Sequence, residues 1–149
     1  RGKPDPPPRA MTARTTPDAE RRRMPVSRMQ VYRCQVCGIV AEIVEHGAGD
    51  PICCAQRMTL LTEQPAGDRE HALLAERSAD GMTVRMGTAV GHPMESGHHV
   101  QWVEMVSGSG CCRQMLQPDE APRVTLPAPA GPVRVRALCT RHGLFSATI

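Results

Sequence analysis

The sequence predicts an all-β chain of two modules behind a disordered N-terminal tail. Three observations carry that prediction. Four cysteines sit near the two ends of a short stretch, Cys34 to Cys54, as a metal-bound module would place them. The longer stretch that follows breaks into short, often β-branched runs, separated by turn residues at the roughly 8–12-residue spacing of a sandwich or barrel. Within it the run PVRVRALC alternates Val133, Val135 and Ala137 with Arg134 and Arg136, the period of a half-buried strand.

Residues 1–28 are rich in Pro, Arg and Thr, show no apolar period, and are expected to be disordered. They do not begin with methionine, and Met11, Met24 or Met29 is a candidate initiator. Residues 29–65 form the first module. Val31 to Cys34 and Ile39 to Val44 read as strands, and Gly47 to Asp50 as a turn. Pro65 to Asp68 reads as a linker. Residues 66–149 form the second module, with strands expected at Met82–Val90, His99–Val106, Arg123–Leu126 and Val133–Cys139.

Charge and composition narrow the function classes. Of 18 basic residues, all but Lys3 are arginine, and residues 1–28 carry eight of them against three acids. The remainder carries ten bases and twelve acids, so no basic folded face is available for nucleic acid. Seven cysteines exclude a fully paired disulfide framework. With neither a signal-peptide pattern nor a membrane-length apolar run, a reducing cytoplasm and thiol–metal chemistry are expected. Tyr32, Trp102 and Phe145 are the only aromatics, which leaves Val, Leu, Ile, Met and Ala to build the core. A metal that crosslinks so small a module would add stability.

The spacing Cys34-x2-Cys37, fifteen residues, then Cys53-Cys54 implies a tetrahedral four-thiolate site for iron or zinc. Gly38 lets backbone N–H groups turn toward the sulfurs. Neighbouring side chains of an extended strand point apart, so the chain must bend at Cys53-Cys54 to bring both to one ion. A structural zinc ribbon has the same spacing, and the sequence does not choose between the metals. The segments CQVCG and GDPICC resemble the desulforedoxin module, and that resemblance implies iron on Cys34, Cys37, Cys53 and Cys54.

A second constellation comprises His71 in REHA, His92 and His98 in GHPMESGHHVQW, and Cys139 and His142 in ALCTRHGLF. Imidazoles suit borderline metals, and a single thiolate among them tunes the redox potential. Four His and one Cys fill five corners of an octahedron and leave one for a small ligand. His99 neighbours His98 and faces the other way, and His46 lies in a solvent-exposed turn. The segments HPMESGHHVQWVE, Leu116 to Pro122 and CTRHGLF are similar in order and spacing to the superoxide reductases of the desulfoferrodoxin family. The resemblance spans about residues 30–149. It implies an immunoglobulin-like sandwich, equatorial His71, His92, His98 and His142, and axial Cys139 opposite the free corner. It further implies two irons per chain, reduction of superoxide to hydrogen peroxide, a rubredoxin-like electron donor and a homodimer.

Three features depart from that family. Arg69-Glu70 stands where Glu-Lys is usual, so Arg69 is the candidate for drawing in the anion and Glu70 for capping the iron. The stretch from His71 to His92 is one residue longer, which a bulge in the Met82–Val90 strand would absorb. Cys111-Cys112, after Ser-Gly-Ser-Gly, has no counterpart; the pair is expected on an exposed hairpin, as incidental thiols or as an intermolecular or redox-sensitive pair. Two other functions remain open on sequence: a zinc-ribbon-type binding module, which leaves the histidine order unexplained, and a small electron carrier, which leaves the open corner unexplained.

Overall fold

In the computed structural model the described residues are 25–67, 69–108, 110–127 and 130–149. They are all strand, turn and loop, in two compact units that divide between Leu60 and Leu61. No helix among them is long and apolar enough to cross a membrane.

The first unit holds seven short strands: β1 (Pro25–Val26), β2 (Val31–Arg33), β3 (Val40–Glu42), β4 (Gly47–Ala48), β5 (Ile52–Cys53), β6 (Gln56–Arg57) and β7 (Thr59–Leu60). They pair as β1-β4, β3-β2-β7 and β5-β6. Its core is small. Tyr32, Cys34 and Met58 are buried, with Ala41, Ile43 and Cys53 packed against them. So little apolar burial leaves the unit dependent on a crosslink. Residues 25–26 were expected in the disordered tail and Gly47-Ala48 in a turn, yet they pair as strands β1 and β4. The rest of the tail, residues 1–24, lies outside the described residues.

The second unit begins with β8 (Gln64–Pro65), followed by β9 (Leu73–Ser78), β10 (Gly81–Met86), β11 (Val100–Ser107), β12 (Gly110–Met115), β13 (Arg123–Leu126), β14 (Arg134–Cys139) and β15 (Gly143–Thr148). One sheet runs β13-β10-β9 and the other β12-β11-β14-β15-β8. Their inward residues, among them Met82, Val84, Val124, Val103, Val135 and Phe145, bury one common core. Each such side chain contributes about 1.5–3 kcal/mol of apolar burial. Methionine and valine fill the volume that scarce aromatics cannot, and Phe145 is the one aromatic of this core.

The expected linker at Pro65 is in part a strand: β8 pairs in parallel with β15 through Gln64 and Pro65. Strand β10 ends at Met86 rather than at Val90, because Gly87 takes φ 87° and turns the chain. Its pairing with β9 and β13 is continuous, so no bulge absorbs the extra residue there. The register shift of this unit lies instead in β11, between Val100 and Trp102.

The five-stranded sheet also buries charge. Glu104 and Arg136 face each other across β11 and β14 and form an ion pair, both all but inaccessible to water. Arg113 Nε donates to Glu104 at 2.7 Å, and Arg136 Nη1 donates to Glu63 at 3.1 Å. The Arg113 guanidinium also lies 4.5 Å above the Trp102 ring. Every charge in this group has an opposite partner, as burial requires.

Candidate metal centres

In the first unit the sulfurs of Cys34, Cys37, Cys53 and Cys54 all lie within 4.8 Å of one another. Cys37 to Cys53 is 3.6 Å and Cys53 to Cys54 is 3.9 Å. A tetrahedron with metal–sulfur bonds of about 2.3 Å has edges of about 3.8 Å, so the group has the size of a four-thiolate site. Backbone N–H groups of Cys37 and Val36 point at the Cys34 sulfur and draw its thiol down to about 6, which favours a thiolate there. Cys53 and Cys54 move the other way, and the Cys53 thiol is pushed up to about 12 by its hydrogen bonds with Cys37 and Cys34.

The bend required at the adjacent cysteines is explicit. Cys54 and Ala55 have φ of 48° and 58°, and they form the two-residue turn joining β5 to β6, with Cys53 opposite Gln56. Two successive left-handed residues without glycine cost about 1–2 kcal/mol each. That expense folds the second sulfur back beside the first.

In the second unit Nε2 of His71, His92 and His98, a ring nitrogen of His142 and Sγ of Cys139 form a second group within 4.8 Å. Four loops or strand ends supply them. His71 precedes β9, His92 follows the loop after β10, His98 precedes β11, and Cys139 and His142 flank the turn from β14 to β15. The loop before His92 is tightly closed: a Cβ on Gly87 would lie 2.4 Å from the His92 nitrogen and from the Gly91 carbonyl carbon. His98 is tied to Glu95 by reciprocal backbone hydrogen bonds of 2.9 Å.

The four rings close a square in the order His71, His92, His98, His142. Neighbouring centroids are 4.8–5.2 Å apart and the planes cross at 61–87°. His71 Nε2 and His142 Nδ1 are 3.0 Å apart, the separation of right-angled ligands on bonds of about 2.1 Å. Cys139 Sγ stands 3.7 Å from His142 Nδ1. Glu70 Oε1 stands 3.1 Å from His98 Nε2, 3.7 Å from His142 Nδ1 and 3.9 Å from Nε2 of His71 and His92. Sγ of Cys139 lies within 4.8 Å of all four ring nitrogens, and Glu70 Oε1 lies within 3.9 Å of them.

Polar atoms here are buried without hydrogen bonds: Glu70 Oε1 and Nε2 of both His92 and His98. Such orphans are costly unless an ion satisfies them, and their convergence fits a bound cation. The His92 Nδ1–H donates to the Pro93 carbonyl at 2.6 Å, which fixes the tautomer and leaves the Nε2 lone pair pointing inward. Burial pushes the His92 and His98 imidazoles down, toward the neutral form that binds metal.

The remaining candidates stand apart. Arg69 is exposed, and with Glu70 it borders a cavity of about 390 Å³ floored by Thr88, Val90 and Pro93. His99 is outside the square, its backbone N–H bound to Thr140 Oγ1 at 3.1 Å. His46 is exposed in the first unit. Cys111 and Cys112 are exposed on β12, an edge strand, and belong to neither group. Sequence reasoning missed Phe145, whose ring stacks on His71 at 4.0 Å and 6°. Its position three residues beyond His142, on the inward face of β15, was the available signal.

The comparisons with known proteins agree with this arrangement. Residues 26–61 match the desulfoferrodoxin N-terminal domain and residues 71–148 match desulfoferrodoxin. The chain is 38% identical over 121 residues to a desulfoferrodoxin of Syntrophotalea carbinolica, covering 80% of this chain and 95% of the relative. It is 32% identical over 120 residues to that of Nitratidesulfovibrio vulgaris, covering 79% and 94%. The crystal structure of the superoxide reductase from Treponema pallidum shares the fold, with TM-score 0.64 and 19% identity over 79% of this chain and 96% of that one. With both ligand groups and nearly the whole length of its relatives accounted for, the chain belongs to the desulfoferrodoxin family.

Proposed function

We propose that this protein is a superoxide reductase that converts superoxide, one electron and two protons into hydrogen peroxide. The observation that carries the reading is the square of four imidazoles converging with one thiol and the Glu70 carboxylate. A structural metal site is closed by its protein ligands, whereas a metal held by these five would keep a corner for a small ligand. The ligand set, nitrogen-rich with one sulfur, suits iron, and the four-thiolate group accepts iron or zinc. Iron bound in the square supplies the electron.

The chain's own groups have distinct parts. His71, His92, His98 and His142 would hold the iron through ring nitrogens that do not cancel its charge, so net positive charge would remain to attract an anion. Cys139, fully buried, would be the fifth ligand, and its sulfur would lend electron density to the iron. Glu70 would cover the remaining corner and yield it to the anion. Arg69, exposed beside it, draws the anion toward the cavity, and solvent reaching that cavity brings the protons. Cys34, Cys37, Cys53 and Cys54 are the ligands of the other metal.

The finer architecture follows the same reading: a desulforedoxin-like module over residues 29–65 and an immunoglobulin-like sandwich over 66–149. Each turnover consumes one electron, which a small rubredoxin-like donor provides. Exposed Val36, Ile39 and Ile52 in the first unit favour a homodimer, and reduced thiols favour a cytoplasmic setting. The test is anaerobic mixing of the reduced, iron-loaded protein with pulsed superoxide. One peroxide per superoxide, without oxygen release, supports the reading. Zinc as the only bound metal, or oxygen evolution, overturns it.

A further inference from the structure

The outer face of the β13-β10-β9 sheet carries a cleft of about 260 Å³ bordered by Leu74, Glu76, Thr83, Arg85 and Arg123, none of them in either ligand group. Met82, Val84 and Met86 of β10 point into the core, so Thr83 and Arg85 point out. The register sets Arg85 directly opposite Arg123 on β13 and opposite Leu74 on β9. Like charges facing each other across strands are destabilising, and an arrangement that retains them calls for a counter-charge. Among the described residues none provides it: neither arginine has an ion pair there, and Glu76, the one carboxylate bordering the cleft, pairs with neither.

The two guanidinium groups are differently held. Arg85, half-buried, donates from Nη1 to the Thr88 carbonyl at 2.9 Å, which pins it while leaving further N–H groups free. Arg123 is exposed and adjustable. Beside them the Thr83 and Thr125 hydroxyls share a hydrogen bond of 2.8 Å, so one of the two retains a proton to donate outward. Two positive forks and a hydroxyl on one face suit an acceptor with several oxygens and double charge, more than a single carboxylate.

We propose that this cleft binds a phosphate-type dianion, either inorganic phosphate or a small phosphate monoester. The volume exceeds the ~30 Å³ of a water several times over, so a monoester's organic part would lie against Leu74. Glu76 also lines the cleft and weakens binding by repulsion.

The test is calorimetric titration of the metal-loaded full chain at low ionic strength with inorganic phosphate and, separately, phenyl phosphate. Saturable one-to-one binding is expected. Arg123→Ala should weaken it roughly tenfold, as loss of one charge-assisted contact does, and Glu76→Gln should tighten it. Both positions are exposed, and unchanged iron content and melting temperature without phosphate confirm intact folds. Tighter binding of phenyl phosphate identifies a monoester site, and equal binding identifies recognition of phosphate alone. Non-saturating heats, or equal affinity in wild type and Arg123→Ala, overturn the proposal; the latter result would place the phosphate elsewhere, the metal corner included.

Discussion

On the proposed function, Glu70 governs exchange at the remaining metal corner. Its carboxylate oxygen lies 3.1–3.9 Å from the four ring nitrogens, so replacing it with alanine should remove a competitor for small anions. Glu70→Ala should bind azide at least several-fold more tightly in the oxidised form, read from the visible spectrum, while superoxide reduction stays as fast. An unchanged azide affinity would show that the carboxylate does not guard the corner. Arg69→Ala should act on encounter alone: the second-order rate with superoxide falls and loses part of its dependence on salt. A rate that ignores salt in the parent protein already rules out steering by this arginine. Glycine at 87 is fixed by space as well as by φ, since a Cβ there would strike backbone 2.4 Å away. Gly87→Ala should therefore displace His92, lowering iron content at the histidine site and costing on the order of 1–3 kcal/mol in denaturant unfolding.

Among the elements, the facing strands β11 and β14 carry a risk that most sheets avoid. Glu104 is completely buried and answers Arg136 and Arg113 together. Glu104→Ala would strand Arg136 beneath the surface, with an expected loss of about 3–5 kcal/mol in urea unfolding. The strands at 123–126 and 134–139 were legible because Val124/Leu126 and Val133/Val135/Ala137 alternate with polar residues. Strands β9 and β12 were not, because Leu73–Ser78 buries only Leu73 and Gly110–Met115 buries nothing fully, so no apolar alternation marks them. The same absence hid the pairing of Gln64-Pro65 with β15. Ligand identity, by contrast, was written in local chemistry: C-x-x-C, Cys-Cys and the histidine spacings need no long-range pattern to be read. What could not be read was which nitrogen His142 turns inward and which ring clamps His71, since both depend on how β14 and β15 meet.

For the molecule as a whole, each ligand group lies entirely within one compact unit. Loading of the two sites should then be separable. Cys53→Ser is expected to reduce the metal content from two per chain toward one, while the absorption of the histidine site persists. Loss of both metals together would mean that the units fold as one. The first unit has only three buried side chains in its core cluster and two left-handed residues in its tightest turn, so removal of its metal should unfold it first. Circular dichroism during chelation would show a partial loss of signal before the main transition.

The stacking of Phe145 on His71 has a consequence for how the protein is made. His71 leaves the ribosome long before Phe145 and His142, so for much of translation its ring has neither its clamp nor its nearest fellow ligand. The histidine pocket cannot exist on the nascent chain until β15 has emerged. The four cysteines have all emerged by then, so the thiolate group is complete on the nascent chain before the histidine group is.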